Sequence, residues 1–121
     1  MVLGPESFPR RARLTDPSHY QHAFKTGRRG RHPLIGVVAL TNNVGYPRLG
    51  LAVSRKVSRK AVIRNRIKRV LRETFRHEQK GLAAVDFVVV AYPEAALASH
   101  EELTSAFLQL SKKMCRICAK S

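Results

Sequence analysis

Ala61-Val62-Ile63-Arg64-Asn65-Arg66-Ile67-Lys68-Arg69-Val70-Leu71-Arg72-Glu73-Thr74-Phe75-Arg76 reads as the body of a long helix, from about residue 59 to 79, stopped by Gly81. At about 100° per residue, with Arg64 set at zero, Ile63, Ile67, Val70, Leu71 and Thr74 fall in one arc of roughly 240–340°. Arg64, Lys68, Arg72, Arg76 and Arg69 fall on the opposite side, at roughly 0–140°, with Asn65 near 100° among them. Arg66 and Glu73 flank that basic face. One side of the helix is built to dock on a sheet, and the other presents concentrated positive charge.

Between Arg55 and Arg76 there are ten basic residues and one acid, Glu73. A solvated helix face usually mixes signs in i,i+4 acid–base pairs. Here Arg64/Lys68, Lys68/Arg72 and Arg72/Arg76 repel one another, a cost offset if phosphates sit against them. Arg offers a planar fork for phosphate, and Asn offers a donor and an acceptor to a base edge or a 2′-hydroxyl. The whole chain agrees: 23 Lys and Arg against 8 Asp and Glu give 121 residues a formal charge of +15. That charge points to a polyanion, nucleic acid before an anionic membrane. No apolar run approaches the ~20 residues of a spanning helix. Met1 to Arg13 has no stretch of signal-peptide character. The expected location is the cytoplasm.

Upstream of the helix, Leu34–Leu40 and Leu49–Ser54 read as strands of a hairpin, joined by a turn over Asn42–Pro47. In the second strand Leu49, Leu51 and Val53 face one way and the small residues Gly50, Ala52 and Ser54 the other. A ligand backbone or a packed helix would each explain the small face. Residues 28–33 read as a basic loop. Thr15 or Asp16 caps a short helix with Pro17 in its first turn and Gly27 past its end, with Tyr20 and Phe24 on one face. Residues 1–14 read as an extended basic arm of a single domain spanning 1–121. Downstream, Asp86–Tyr92 is a continuous apolar run, a strand buried on both faces. Ser99 and Glu102 form a capping box before a last helix, whose Leu103, Phe107, Leu110, Met114 and Ile117 face the core.

Other constellations carry no chemistry. Cys115 and Cys118 lack a second pair for zinc and do not open a helix after a strand, so they read as ordinary thiols. The histidines at 19, 22, 32, 77 and 100 form no ligand spacing, and the acids form no magnesium-holding cluster. The expectation is that the protein itself binds no metal or cofactor and carries no nuclease site.

The segment Ala61 to Arg69, with its Arg64-Asn65-Arg66 core, resembles the signature of the bacterial ribonuclease P protein family. The likeness extends through Arg48–Lys56, Arg72–Arg76 and Asp86–Val90, and at the N-terminal side through Phe8-Pro9-Arg10, Arg13-Leu14 and Phe24–Gly27. It covers about residue 8 to 118. The resemblance implies an α+β fold, a two-layer α/β sandwich of a four-stranded sheet and three helices in the order αβββαβα. It also implies a left-handed βαβ crossover through the basic helix, an exception to the usual hand. It implies a protein subunit of an endoribonuclease that matures the 5′ end of tRNA, the chemistry residing in an RNA subunit with Mg²⁺. The implied partners are that catalytic RNA and the 5′ leader of precursor tRNA, with the protein a monomer in a one-to-one complex.

Carried over by position, Arg64, Asn65, Arg66, Lys68, Arg69 and Arg72 are expected to touch the catalytic RNA. Tyr20, Phe24, Val37, Ser54, Arg55 and Lys56 are expected to line the leader cleft, the two aromatics stacking on unpaired bases. The chain departs from the family twice. Tyr92 stands where a basic residue often follows the fourth strand, and Val37 and Val38 stand where the first strand often carries a cleft aromatic. The competing reading is a non-catalytic RNA-binding protein of small ribosomal type. A helix-turn-helix DNA binder is disfavoured because strands precede and follow the basic helix.

Overall fold

Helix α2, Ala61–Glu78, forms as its periodicity demands, with Ile67, Val70, Leu71 and Thr74 buried and Ile63 half-buried. The structure is a computed structural model that describes residues 13–14 and 17–119. The basic arm before Arg13 and the proposed caps Thr15 and Asp16 lie outside the described residues. Preceding α2 are α1 (Pro17–Thr26), β1 (Arg28–Arg31), β2 (Ile35–Thr41) and β3 (Arg48–Ala52). Following it are a 3₁₀ turn (Gln79–Gly81), β4 (Val85–Ala91), a second 3₁₀ turn (Pro93–Leu97) and α3 (His100–Ala119).

The sheet runs β1-β2-β4-β3. β2 is antiparallel to both β1 and β4, whereas β3 lies parallel to β4, so α2 is the crossover of a β-α-β unit. The expected β2–β3 hairpin therefore does not form. β4, whose Phe87, Val88 and Val89 are wholly buried, takes the central place between them, where both its faces are covered. The hairpin is instead β1–β2, and residues 28–31 of the expected basic loop are an edge strand.

Strand parity divides the sheet into two faces. Ile35, Val37, Ala39, Leu49, Phe87 and Val89 point into the main core against α2 and α3, where Phe75, Phe107, Leu103 and Met114 are fully buried. Val38 and Val88 point the other way and meet Leu14 and Ala23, with Tyr20 and Phe24 half-buried around them. Thus α1 covers part of the second face. Leu14 extends the outer edge of β3, its N–H donating to the Leu49 carbonyl at 2.8 Å. The Ser99–Glu102 capping box forms in both directions, at 2.9 and 3.1 Å, and hydrogen bonding from Ser99, its backbone N–H first, holds the Glu102 carboxyl below its ordinary range.

Candidate RNA interface

Before α2 the chain turns around a buried Val57. The Val57 N–H reaches the Ser54 carbonyl at 3.1 Å and the Lys56 N–H reaches the Ser54 hydroxyl at 3.3 Å. Ser54, Arg55 and Lys56 are exposed on this turn. Arg55, Lys56, Arg59 and Arg64 line one concavity of about 700 Å³. Arg64 is held in place by donating to the Ser58 carbonyl at 2.9 Å. No side chain caps α2 and no acid sits in its first turn. The positive end of the helix dipole therefore adds to four cations at one place, an arrangement suited to phosphate.

One turn apart along α2, Lys68 and Arg72 leave this concavity for another of about 280 Å³, shared with Arg13, Leu14, Tyr20, Leu49 and Leu51. Tyr20 fits there because β3 carries Gly50: a Cβ at that position would meet the Tyr20 Oη at 2.8 Å. The small face of β3 thus serves helix packing. The Tyr20 hydroxyl donates to the Leu14 carbonyl at 2.8 Å, and burial raises its pKa. Phe24 is half-buried, and its carbonyl accepts a bond from the Arg29 guanidinium at 2.8 Å. Asn65 and Arg69 are exposed further around α2. The cationic row and Tyr20, treated from sequence as parts of separate surfaces, meet at Lys68 and Arg72.

Two expected site residues are placed differently. Val37 is 1% exposed and belongs to the core under α2 and α3, so it offers nothing to the cleft; Val38 has the cleft parity but lies beneath α1. Arg66 does not project with Arg64. It is half-buried and donates to the Ala96 and Ala98 carbonyls, each at 3.2 Å, fastening α2 to the segment before α3. Arg66→Ala is accordingly expected to cost about 1 kcal/mol of stability. Arg64→Ala should instead weaken RNA binding with little change in melting. A melting temperature of Arg66→Ala equal to that of the unsubstituted protein would show that the Arg66 bonds contribute nothing.

Arg59 and Arg13 were missed as cleft-lining cations. Arg59 stands inside the basic span from Arg55 to Arg76 and was readable as such. The position of Arg13 depends on its pairing beside β3. No group of three His, Cys, Asp or Glu side chains able to hold a metal occurs among the described residues. Cys118 is buried in α3, which pushes its thiol pKa up. No helix among the described residues is long and apolar enough to cross a membrane.

A family model described as Ribonuclease P matches residues 8–115. The ribonuclease P protein component of Citrobacter koseri is 42% identical over 115 residues, covering 95% of this chain and 97% of that one. The corresponding protein of Vibrio vulnificus is 44% identical over 110 residues, covering 91% and 93%. Among solved structures, the RNase P protein of Staphylococcus aureus superposes with a TM-score of 0.78 at 28% identity, covering 84% of this chain and 93% of that one. That of Thermotoga maritima gives 0.76 at 28% identity, covering 84% and 96%.

Proposed function

The chain belongs to the ribonuclease P protein family and serves as a protein component of that tRNA-processing endoribonuclease; from this we propose how its surfaces are used. The α2 row of Arg64, Asn65, Lys68, Arg69 and Arg72 binds the catalytic RNA. The turn carrying Ser54, Arg55 and Lys56, with Tyr20 and Phe24, holds the single-stranded 5′ leader of precursor tRNA. The chemistry belongs to the RNA subunit. Mg²⁺ is assigned to the RNA as part of this proposal; among the described residues no group of three His, Cys, Asp or Glu side chains is placed to hold it. The protein works as a monomer in a one-to-one complex in the cytoplasm.

The observation that carries this reading is the continuity of the interface. One row of cations, Arg64, Lys68 and Arg72, joins the concavity at the start of α2 to the one beneath Tyr20. A cleavage assay tests it: bacterial ribonuclease P RNA and a precursor tRNA, at low magnesium, with and without the protein. Stimulated cleavage is expected. Binding without stimulation would overturn this assignment of the two surfaces.

Salt gives a second test. Affinity for the RNA should fall with ionic strength at a log–log slope of roughly −0.7 to −0.9 per phosphate neutralised. Lys68→Ala should flatten that slope by about one unit. A salt-independent affinity would remove the phosphate contacts from the account.

A further inference from the structure

Beyond the end of α1 the second face of the sheet continues to a concavity of about 420 Å³ lined by Arg31, His32, Pro33, Tyr92, Pro93 and Glu94. None of the surfaces assigned above includes it. Tyr92 follows β4 with the parity of Val88 and Val90, so its ring lies on the same face as Phe24. The ring lies across Gly36, a buried glycine whose missing side chain is what admits it: a Cβ there would run into the Tyr92 hydroxyl. Its backbone is fixed too, the Tyr92 N–H donating to the Leu34 carbonyl at 3.0 Å. His32 Nδ1 accepts the Leu34 N–H at 3.1 Å and braces the turn beneath. The Arg31 guanidinium carbon stands 5.6 Å from the ring centroid, within cation–π range.

Arg31 and Arg29 are alternate residues of β1, paired in register with Gly36 and Val38, and so lie on the same face. Arg29 is bonded to the Phe24 carbonyl. The face therefore carries aromatic and arginine twice over: Phe24 with Arg29, then Tyr92 with Arg31. Repeated aromatic platforms beside cations are how single-stranded nucleic acid is held without sequence readout. Glu94, exposed on the same concavity, disfavours a phosphate at its outer rim and leaves the Tyr92 ring to a base.

On the leader-binding reading above, we propose that Tyr92 and Arg31, seated on Gly36, form a second stacking subsite, which takes a leader nucleotide further along the strand than the one beside Phe24. Tyr92 offers the base a platform and Arg31 its phosphate a partner. The subsite sets how long a leader must be before the protein grips it fully.

The test uses the reconstituted ribonucleoprotein and precursor tRNAs whose leaders are lengthened one nucleotide at a time. Wild-type affinity should rise in steps. Tyr92→Ala should abolish the last step, a loss of roughly five- to hundredfold for long leaders, and leave the shortest leader unaffected. Tyr92→Phe should keep the step, and Gly36→Ala, which displaces the ring, should lose it. If Tyr92→Ala lowers affinity by one factor at every length, or lowers none, the subsite is overturned while leader binding stands. If wild-type affinity does not rise with leader length at all, the leader-binding reading fails and the subsite with it.

Discussion

Arg48→Ala is expected to lower the stability of the RNA-free protein by roughly 3 kcal/mol, the low end of the cost of breaking a buried ion pair. Arg48 and Asp86 are register partners on β3 and β4. The Asp86 carboxylate accepts Arg48 Nε and Nη2, each at 2.8 Å, and Asn42 Nδ2 at 2.7 Å. Asn42 also donates to the Tyr46 carbonyl at 3.1 Å, so the network ties the β2–β3 loop to the sheet. The two side chains are 18% and 10% exposed, which is why the low end applies. Removing the guanidinium leaves a nearly dry carboxylate with one side-chain donor.

Lys at position 48 restores charge without the fork and should recover only part of the loss. The double replacement Arg48→Met with Asp86→Leu should recover most of it, because no charge is then left uncompensated. Urea unfolding measures all three, with an unchanged m-value as the sign that the folded state alone is affected. A loss below about 1 kcal/mol for Arg48→Ala would mean that the pair is screened like a surface one.

Legibility from sequence followed the strength of the periodic signal. The wheel placed Ile67, Val70, Leu71 and Thr74 of α2 on the buried side, and they are buried. It missed Phe75, which by angle sits among the arginines yet is fully buried. A wheel assumes one covered side, and the last turns of α2 are covered on a second. β1 was unreadable because its Arg-Arg-Gly-Arg has no apolar alternation: it is an edge strand whose core-facing position, Gly30, leaves its room to Met114. The order β2-β4-β3 was not legible because adjacency in sequence suggested a hairpin. The signal that overrides it is the continuous apolar run of β4, which needs cover on both faces and so takes a central place in the sheet.

The site divides in the same way. Charge clustering brought out Arg64, Lys68 and Arg72, because like charges on one helix face remain together in space, whereas Arg55 and Lys56, on the turn before α2, came from the family resemblance. Partners distant in sequence were invisible. An angle on a wheel says where Arg66 points, not that the Ala96 and Ala98 carbonyls wait there. In Ile35-Gly36-Val37-Val38-Ala39-Leu40 both faces are apolar, so alternation does not say which valine looks toward α1. Parity with Gly36, beneath Tyr92, decides for Val38 and against Val37.

Phe24→Ala is expected to cost about 1–3 kcal/mol in binding precursor tRNA, the worth of one base stacked on an aromatic ring. Mature tRNA and the catalytic RNA alone should bind almost as before, because neither offers a leader base. The competing account is that Phe24 only packs α1 onto the sheet, and the structure gives it partial support, since the ring sits against the cluster of Leu14, Ala23, Val38 and Val88. Yet it remains half-buried. Its truncation should therefore cost the fold about 1–2 kcal/mol, less than the 3–5 kcal/mol of a fully enclosed phenylalanine. Tyr20 is the more structural of the pair, its hydroxyl bonded to Leu14 and its ring seated on Gly50. Phe24→Leu separates the two roles: it fills most of the volume and should restore the melting temperature, but it has no π face and should leave the precursor-to-mature affinity ratio low. A large drop in melting temperature for Phe24→Ala with that ratio unchanged would remove Phe24 from the leader site and leave it a packing residue.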